Sequence, residues 1–359
     1  MAIAQRLIRL GHDVTIVCAQ AEMTPPDDIK LMTLPNKAFL NPDINLQFAL
    51  ELHKMASEAF DLVVGFNKMP HLDVLYCADP PIRRPSTILE RLTPRIRKYR
   101  QLDLSCFGKE SRTRILLLSE RQRLQYRQAY QTAPSRMEVL PPTIERSRIL
   151  AVPDQLKARA GQRRALDVTD SRMLWLYVGR YPFNKGFDRV IRALKDFPDV
   201  QCLCVGFEHD TSRHRKLIQQ AKHAGVANRL RLLGPREDIP ELMAAADLLV
   251  HPARKDVTGT VILEALSNGL PVVTTEACGY AGHVTRADAG LVVSDPFQHE
   301  KFRLAVEAAQ VTATRRTWRK NALEYAGKED LYSGIDRATL AIAESLDVRE
   351  GRQSLKSAE

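Results

Sequence analysis

The six cysteines of this 359-residue chain, Cys18, Cys77, Cys106, Cys202, Cys204 and Cys278, include no C-x-x-C pair, so the spacing suggests neither a disulfide scaffold nor a zinc site. Cys202 and Cys204 instead read as two residues on one side of a buried strand. No apolar run approaches the roughly 18 residues of a spanning helix, and the N-terminus lacks the apolar core of a signal peptide. A cytoplasmic location is the expectation. No D-x-D occurs, the acidic pattern that commonly holds a metal beside a nucleotide. Aromatic residues make up only 6%, and the basic clusters lack a series of interleaved aromatics, which argues against a nucleic-acid surface.

What is present suits two domains. The length allows two cores, and 44% hydrophobic residues fit a globular chain. The formal net charge of +10 points to anionic partners. From residue 171 the chain alternates: "MLWLYVGR", "VQCLCVGF", "RLRLLG" and "DLLVHPA" read as strands, while "GFDRVIRALKDF", "RHRKLIQQAKHAG" and "DIPELMAAA" read as helices. That rhythm predicts a parallel sheet with helices on both faces. The first half is less regular, with strands at "DVTIVC", "DLVVGF" and "RILLLS". The expected architecture is α/β, two doubly wound Rossmann-like domains facing across a cleft. Its parts are an N-terminal acceptor-side domain over 1–150, a polar connection over 151–170, a nucleotide-sugar-binding domain over 171–328, and a C-terminal helix and tail over 329–359. Helical segments at 311–328 and 330–346 are candidates to return to the first domain.

Two stretches carry candidate chemistry. In "HPARKDVTGTVILEAL" a strand ends near His251, a loop holds Asp256, and a helix starts about Thr258 or Gly259. A glycine and the first helical amides, here Gly259 and Thr260, suit a phosphate. Glu264, one to two turns into the helix, suits the paired hydroxyls of a ribose. Asp256 suits hydroxyls of a sugar beyond the phosphates. The plainer reading leaves Asp256 as a partner of the helix dipole and Glu264 as a solvated helix residue. The second stretch, "VGRYPFNKGF", puts Arg180 and Lys185 on a strand-to-helix loop, with Gly186 for the turn. Two cations there can stabilise a departing diphosphate without a metal. No histidine has a carboxylate at a spacing that marks it as catalytic.

The 178–186 loop, "LMAAADLLVHPA", the acidic pair at 256 and 264 with seven residues between them, "NGLPVVTT" and "CGYA" together resemble the C-terminal half of a GT-B fold, family 4 retaining glycosyltransferase. Within that family, "VVGFNKMPHLDV", "VLPP" at 139–142 and "DLYS" at 330–333 are similar to the glucosyltransferases of the lipopolysaccharide core heptose. The resemblance implies transfer of glucose from UDP-glucose to an inner-core heptose with retention, no cofactor and no required metal. It implies that Glu264 holds the ribose, Lys185 and Arg180 the diphosphate, and Asp256 the donor sugar. Departures are Asp256 where glutamate is usual, Arg254 where an aromatic is common, and Gly282 where a histidine is usual. Another family 4 donor or acceptor, or a nucleotide-sugar-binding chain without transfer activity, are the competing readings.

Residues 82–100 hold Arg83, Arg84, Arg91, Arg95, Arg97, Lys98 and Arg100 against one acid, Glu90, with Leu89, Leu92, Ile96 and Tyr99 at helical spacing. Such a helix suits the anionic inner leaflet, which makes a peripheral position on the inner membrane the expectation. A solvated helix face is the alternative. The chain also opens inside an amphipathic helix, "MAIAQRLIRLGHDVTIVC", where a doubly wound domain normally has a strand and glycine-rich turn first. The expectation is a natural product longer by about 30 residues at its N-terminus, at usual element lengths.

Overall fold

The structure, a computed structural model, describes residues 1–22, 24–34, 41–82, 93–206 and 212–357. The chain divides into two compact units, one of residues 1–142 and 332–359, the other of 143–331.

The first unit begins with α1 (Ala2–Arg9), β1 (Thr15–Cys18) and β2 (Lys30–Thr33), the two strands pairing in parallel. There follow α2 (Asn41–Ala59), β3 (Val64–Gly65), β4 (Val74–Cys77), α3 (Pro94–Phe107), β5 (Arg114–Leu117), α4 (Glu120–Tyr130) and β6 (Met137–Val139). β3 to β6 lie side by side in chain order in a parallel four-stranded sheet. Strands β2 and β4, each of four residues, are absent from the sequence expectation. Ser119 caps α4 by accepting from the Gln122 amide, the role for which serine is favoured.

The second unit contains α5 (Val152–Ala165), β7 (Met173–Val178), α6 (Phe187–Leu194), β8 (Val200–Val205), α7 (Ser212–His223), β9 (Leu230–Gly234), α8 (Ile239–Ala245), β10 (Leu248–His251), α9 (Thr260–Ser267), β11 (Val272–Thr275), α10 (Ala281–Ala287), β12 (Gly290–Val293), α11 (His299–Ala308) and α12 (Thr312–Lys328). Its six strands are parallel, in the order β12-β11-β10-β7-β8-β9. Near-continuous burial along β7, β8, β10 and β11 explains their apolar runs: both faces are covered by helices. Cys202 and Cys204 stand on one side of β8 as buried free thiols, their sulfurs 3.8 Å apart.

Two sequence expectations change. Residues 151–170 are not a patternless connection, because 152–165 form α5, with Pro153 in its first turn. The helix hides its signal because polar groups anchor it. Arg163, 1% exposed, donates to the Ala245 and Thr169 carbonyls, and Arg159 donates to Asp247 at 2.7 Å. The two late helices also part company. α12 packs on α9 and α10 in the second unit, whereas the C-terminal α13 (Gly334–Ser357) packs on α1 and β4 in the first. Ile3, Val74, Leu116, Leu140, Ala338, Ala341 and Ile342 form the apolar cluster that holds it there.

Candidate active site

In a doubly wound sheet the loops after the two central, oppositely continuing strands diverge and leave a crevice. Here those strands are β7 and β10, neighbours through Leu248 beside Trp175 and Leu249 beside Leu176. The loops leaving them are the two stretches singled out in the sequence, 179–186 and 252–259.

The loops are bound tightly together. Gly186 caps α6 with φ at 76°, and a side-chain carbon there would stand 1.9 Å from the Pro252 carbonyl oxygen, so only glycine fits. The Arg254 amide donates to Asn184 O at 2.8 Å. The Arg254 guanidinium grips both Asp188 oxygens at 2.6 Å, donates to Phe183 O at 3.0 Å and lies 4.4 Å from the Phe183 ring centre. An arginine thus takes the aromatic position of the resembled family and works as a two-pronged clamp.

Within this frame Lys185 and Asp256 meet as a direct ion pair through Nζ and Oδ2. The same Oδ2 lies 3.0 Å from His251 Nε2. Burial opposes ionisation of Asp256, but His251 and Lys185 outweigh it and hold its pKa at about 2. Burial likewise disfavours the imidazolium, yet Cys278 and Asp256 raise His251 to about 9. The sequence reading found no histidine whose carboxylate neighbours mark it as catalytic, and it missed this contact. Spacing hid the contact, which arises because the loop after β10 turns back on its own strand end. Asp256 also bridges to Cys278, its amide donating to Ala277 O at 3.3 Å while the Gly279 amide donates to Asp256 O at 3.0 Å.

Gly259, with φ at 81°, caps α9, and no side chain caps that helix N-terminus. Thr260 is its first residue. Glu264 stands one turn further along, half-buried, with no hydrogen bond to its carboxylate among the described residues. Burial pushes its pKa up; Arg148 counters this and Glu145 adds to it. Arg148 is placed there by Asn268, whose amide nitrogen donates to the Arg148 carbonyl at 2.8 Å. Arg180 is exposed on the first loop. The structure thus joins Lys185 to Asp256 and leaves Glu264 and Arg180 outside that pair.

The basic stretch is described only in part. Arg83, Arg84 and Arg91 lie outside the described residues, as do Leu89, Glu90 and Leu92. Arg95 and Arg97 are exposed on α3, while Lys98 pairs with Asp43 at 2.5 Å. Arg100 is half-buried beside Tyr130. No helix among the described residues is long and apolar enough to cross a membrane.

Two parallel α/β units, the second doubly wound with facing basic and acidic loops at its switch point, fit the GT-B glycosyltransferase fold. The family model of glycosyl transferases group 1 matches residues 159–325. Lipopolysaccharide glucosyltransferase WaaG of Escherichia coli K12 is 34% identical over 356 residues, covering 97% of this chain and 94% of that protein. The chain belongs to this glycosyltransferase family and is a hexosyltransferase. A crystal structure of WaaG superposes with a TM-score of 0.83 at 33% identity, over 95% of this chain and 94% of that one. Anabaena HepE, solved with UDP-glucose, shares the fold, with a TM-score of 0.69 at 20% identity over 94% of this chain and all of that one.

Proposed function

We propose that this chain transfers glucose from UDP-glucose to a heptose of the lipopolysaccharide inner core, with retention at the anomeric carbon and no required metal. The observation that carries the donor site is the unspent hydrogen-bonding capacity at the β7/β10 switch point. Glu264 has both carboxylate oxygens, and Asp256 its Oδ1, without a recorded partner among the described residues. A half-buried carboxylate without partners is costly unless a ligand supplies donors, and vicinal sugar hydroxyls do so.

In this reading Glu264 takes the ribose hydroxyls, and the uncapped amides at Gly259 and Thr260 meet a phosphate. Lys185 exchanges Asp256 for the diphosphate, helped by Arg180, while His251 keeps Asp256 in place to accept from the sugar hydroxyls. The cations stabilise charge growing on the departing diphosphate. That diphosphate takes the proton of the incoming heptose hydroxyl on the same face of the sugar, which retains the configuration. Likeness to a lipopolysaccharide glucosyltransferase across nearly the whole chain supports the sugar and the acceptor. We also assign a peripheral position on the cytoplasmic face of the inner membrane, through Arg95 and Arg97 with the neighbouring basic residues 83, 84, 91, 98 and 100.

The test uses heptose-terminated core lipopolysaccharide with UDP-glucose, UDP-galactose or UDP-N-acetylglucosamine, with and without chelator. An α-linked glucose in the proton NMR spectrum of the product, unchanged by chelator, is expected. A β-linked product, a preference for another donor, or no transfer overturns the assignment.

A further inference from the structure

Beyond its contacts to Lys185, Asp256 belongs to a second constellation. The ligating atoms of His251, Asp256 and Cys278 lie within 4.8 Å of one another. His251 is 1%, Cys278 2% and Asp256 9% exposed. One imidazole nitrogen, one carboxylate and one thiol form a mixed nitrogen, oxygen and sulfur set. Zinc-type cations favour such sets, whereas magnesium and calcium require oxygen. Thr274 Oγ1 lies 3.3 Å from the Cys278 sulfur and 2.9 Å from the His251 carbonyl, so its one proton must turn from that carbonyl to stabilise a thiolate.

We propose that His251, Asp256 and Cys278 form a binding site for a zinc-type divalent cation, and that Lys185 guards it by occupying Asp256. The ammonium and the cation compete because both draw on the Asp256 carboxylate, and a divalent charge bound there repels the ammonium beside it. Cation binding displaces the thiol proton of Cys278 and the Nε2 proton that His251 shares with Asp256; both leave to solvent, and Nε2 then offers its lone pair to the cation. The site lacks one support of a resident structural zinc. His251 Nδ1 is buried without a hydrogen-bond partner, where a metal-binding histidine normally donates to an acceptor. A reversible ion that intrudes on the donor loops fits this better than a permanent one. No role in transfer is needed for the site to exist.

The test titrates the full chain, freed of metal, with Co2+ while following the sulfur-to-cobalt charge-transfer absorption, then displaces Co2+ with Zn2+. One Co2+ per chain with a sulfur band, displaced by one Zn2+, is expected. Cys278→Ser, a near-isosteric change, should remove the band and weaken binding at least about tenfold. Lys185→Ala should tighten binding about tenfold or more by removing the competing ammonium, a gain that misfolding cannot produce. The proposal is overturned by no sulfur band in the unaltered chain, by a band that persists in Cys278→Ser, or by unchanged or weaker binding in Lys185→Ala. These readings need neither UDP-glucose nor acceptor, so a wrong donor assignment leaves them intact.

Discussion

Among the described residues each unit has a lysine paired with a buried aspartate, and the two pairs differ in what else the carboxylate does. In the first unit Asp103 is fully buried and accepts from Lys68 at 2.5 Å, the Ile82 amide at 2.7 Å and the Tyr130 hydroxyl at 2.7 Å. Lys68 in turn reaches the Pro80 carbonyl and Tyr126, each at 3.2 Å. Every group in that network is spent on the fold. In the second unit Lys185 and His251 share Oδ2 of Asp256, while Oδ1 has no recorded partner among the described residues. Saturation makes the first pair a structural tie, and the spare capacity of the second leaves room for a ligand.

The comparison breaks most sharply at Asp103. Asp103→Ala strands the buried Lys68 ammonium and should cost about 3–5 kcal/mol in urea unfolding. Lys185→Ala should cost less, under about 2 kcal/mol, because Lys185 is partly exposed and His251 still holds Asp256. Equal losses would erase the distinction between the two pairs. The same Lys185→Ala chain should lose affinity for UDP but not for uridine.

Glu264 sharpens the contrast from the other side. Glu264→Gln should weaken UDP binding by about 1.5–3 kcal/mol in calorimetry. Without UDP, the substitution should leave stability at pH 7 unchanged or raised. The sign follows from burial, which raises the folded-state pKa; the native state then binds the proton more readily, so stability falls as pH rises past the ordinary carboxyl range. A clear destabilisation at pH 7 would instead give Glu264 a structural partner.

His251 gives the opposite dependence on pH from its partner. Its folded pKa of about 9 exceeds the ordinary 6.5, so its contribution is complete below pH 6.5 and disappears as pH rises through about 9. Asp256, held at about 2 against 3.8, contributes above pH 3.8 and loses its contribution as pH falls toward 2. His251→Gln should therefore destabilise the chain at pH 6 by up to about 3 kcal/mol and much less at pH 10. A cost independent of pH would mean that the ring acts by packing alone.

The smallest expected effect is on the surface of α3. Replacing Arg95 and Arg97 with glutamate should weaken co-sedimentation with anionic vesicles by about 1 kcal/mol per cation removed, and added salt should mask the difference. UDP affinity should not change, since these residues belong to the first unit. Binding to vesicles that ignores lipid charge would remove the membrane assignment.

Legibility in the sequence followed the range of the interactions. The strands and helices of the second unit were readable because burial of both sheet faces writes apolar runs and helical periods into contiguous residues. Gly186 and Gly259 were readable as turn positions, and both have positive φ. α5 was missed because its anchoring is done by Arg159 and Arg163 through polar bonds, which leave no apolar stripe. The clamp of Arg254 on Asp188, the contact of His251 with Asp256 and the approach of Cys278 left no trace in spacing.

Contiguous residues alone marked the second unit as a parallel α/β sheet with Arg180, Lys185 and Asp256 on strand-ending loops and Glu264 in the helix that follows. It took the folded chain to pair Lys185 with Asp256, to set His251 behind them, and to leave the Glu264 carboxylate without a hydrogen bond among the described residues. The reason is the strand order. Placing β7 beside β10 brings together loops separated by three strands and three helices among the described residues. A carboxylate's partners are set by that nonlocal adjacency, which no local period encodes.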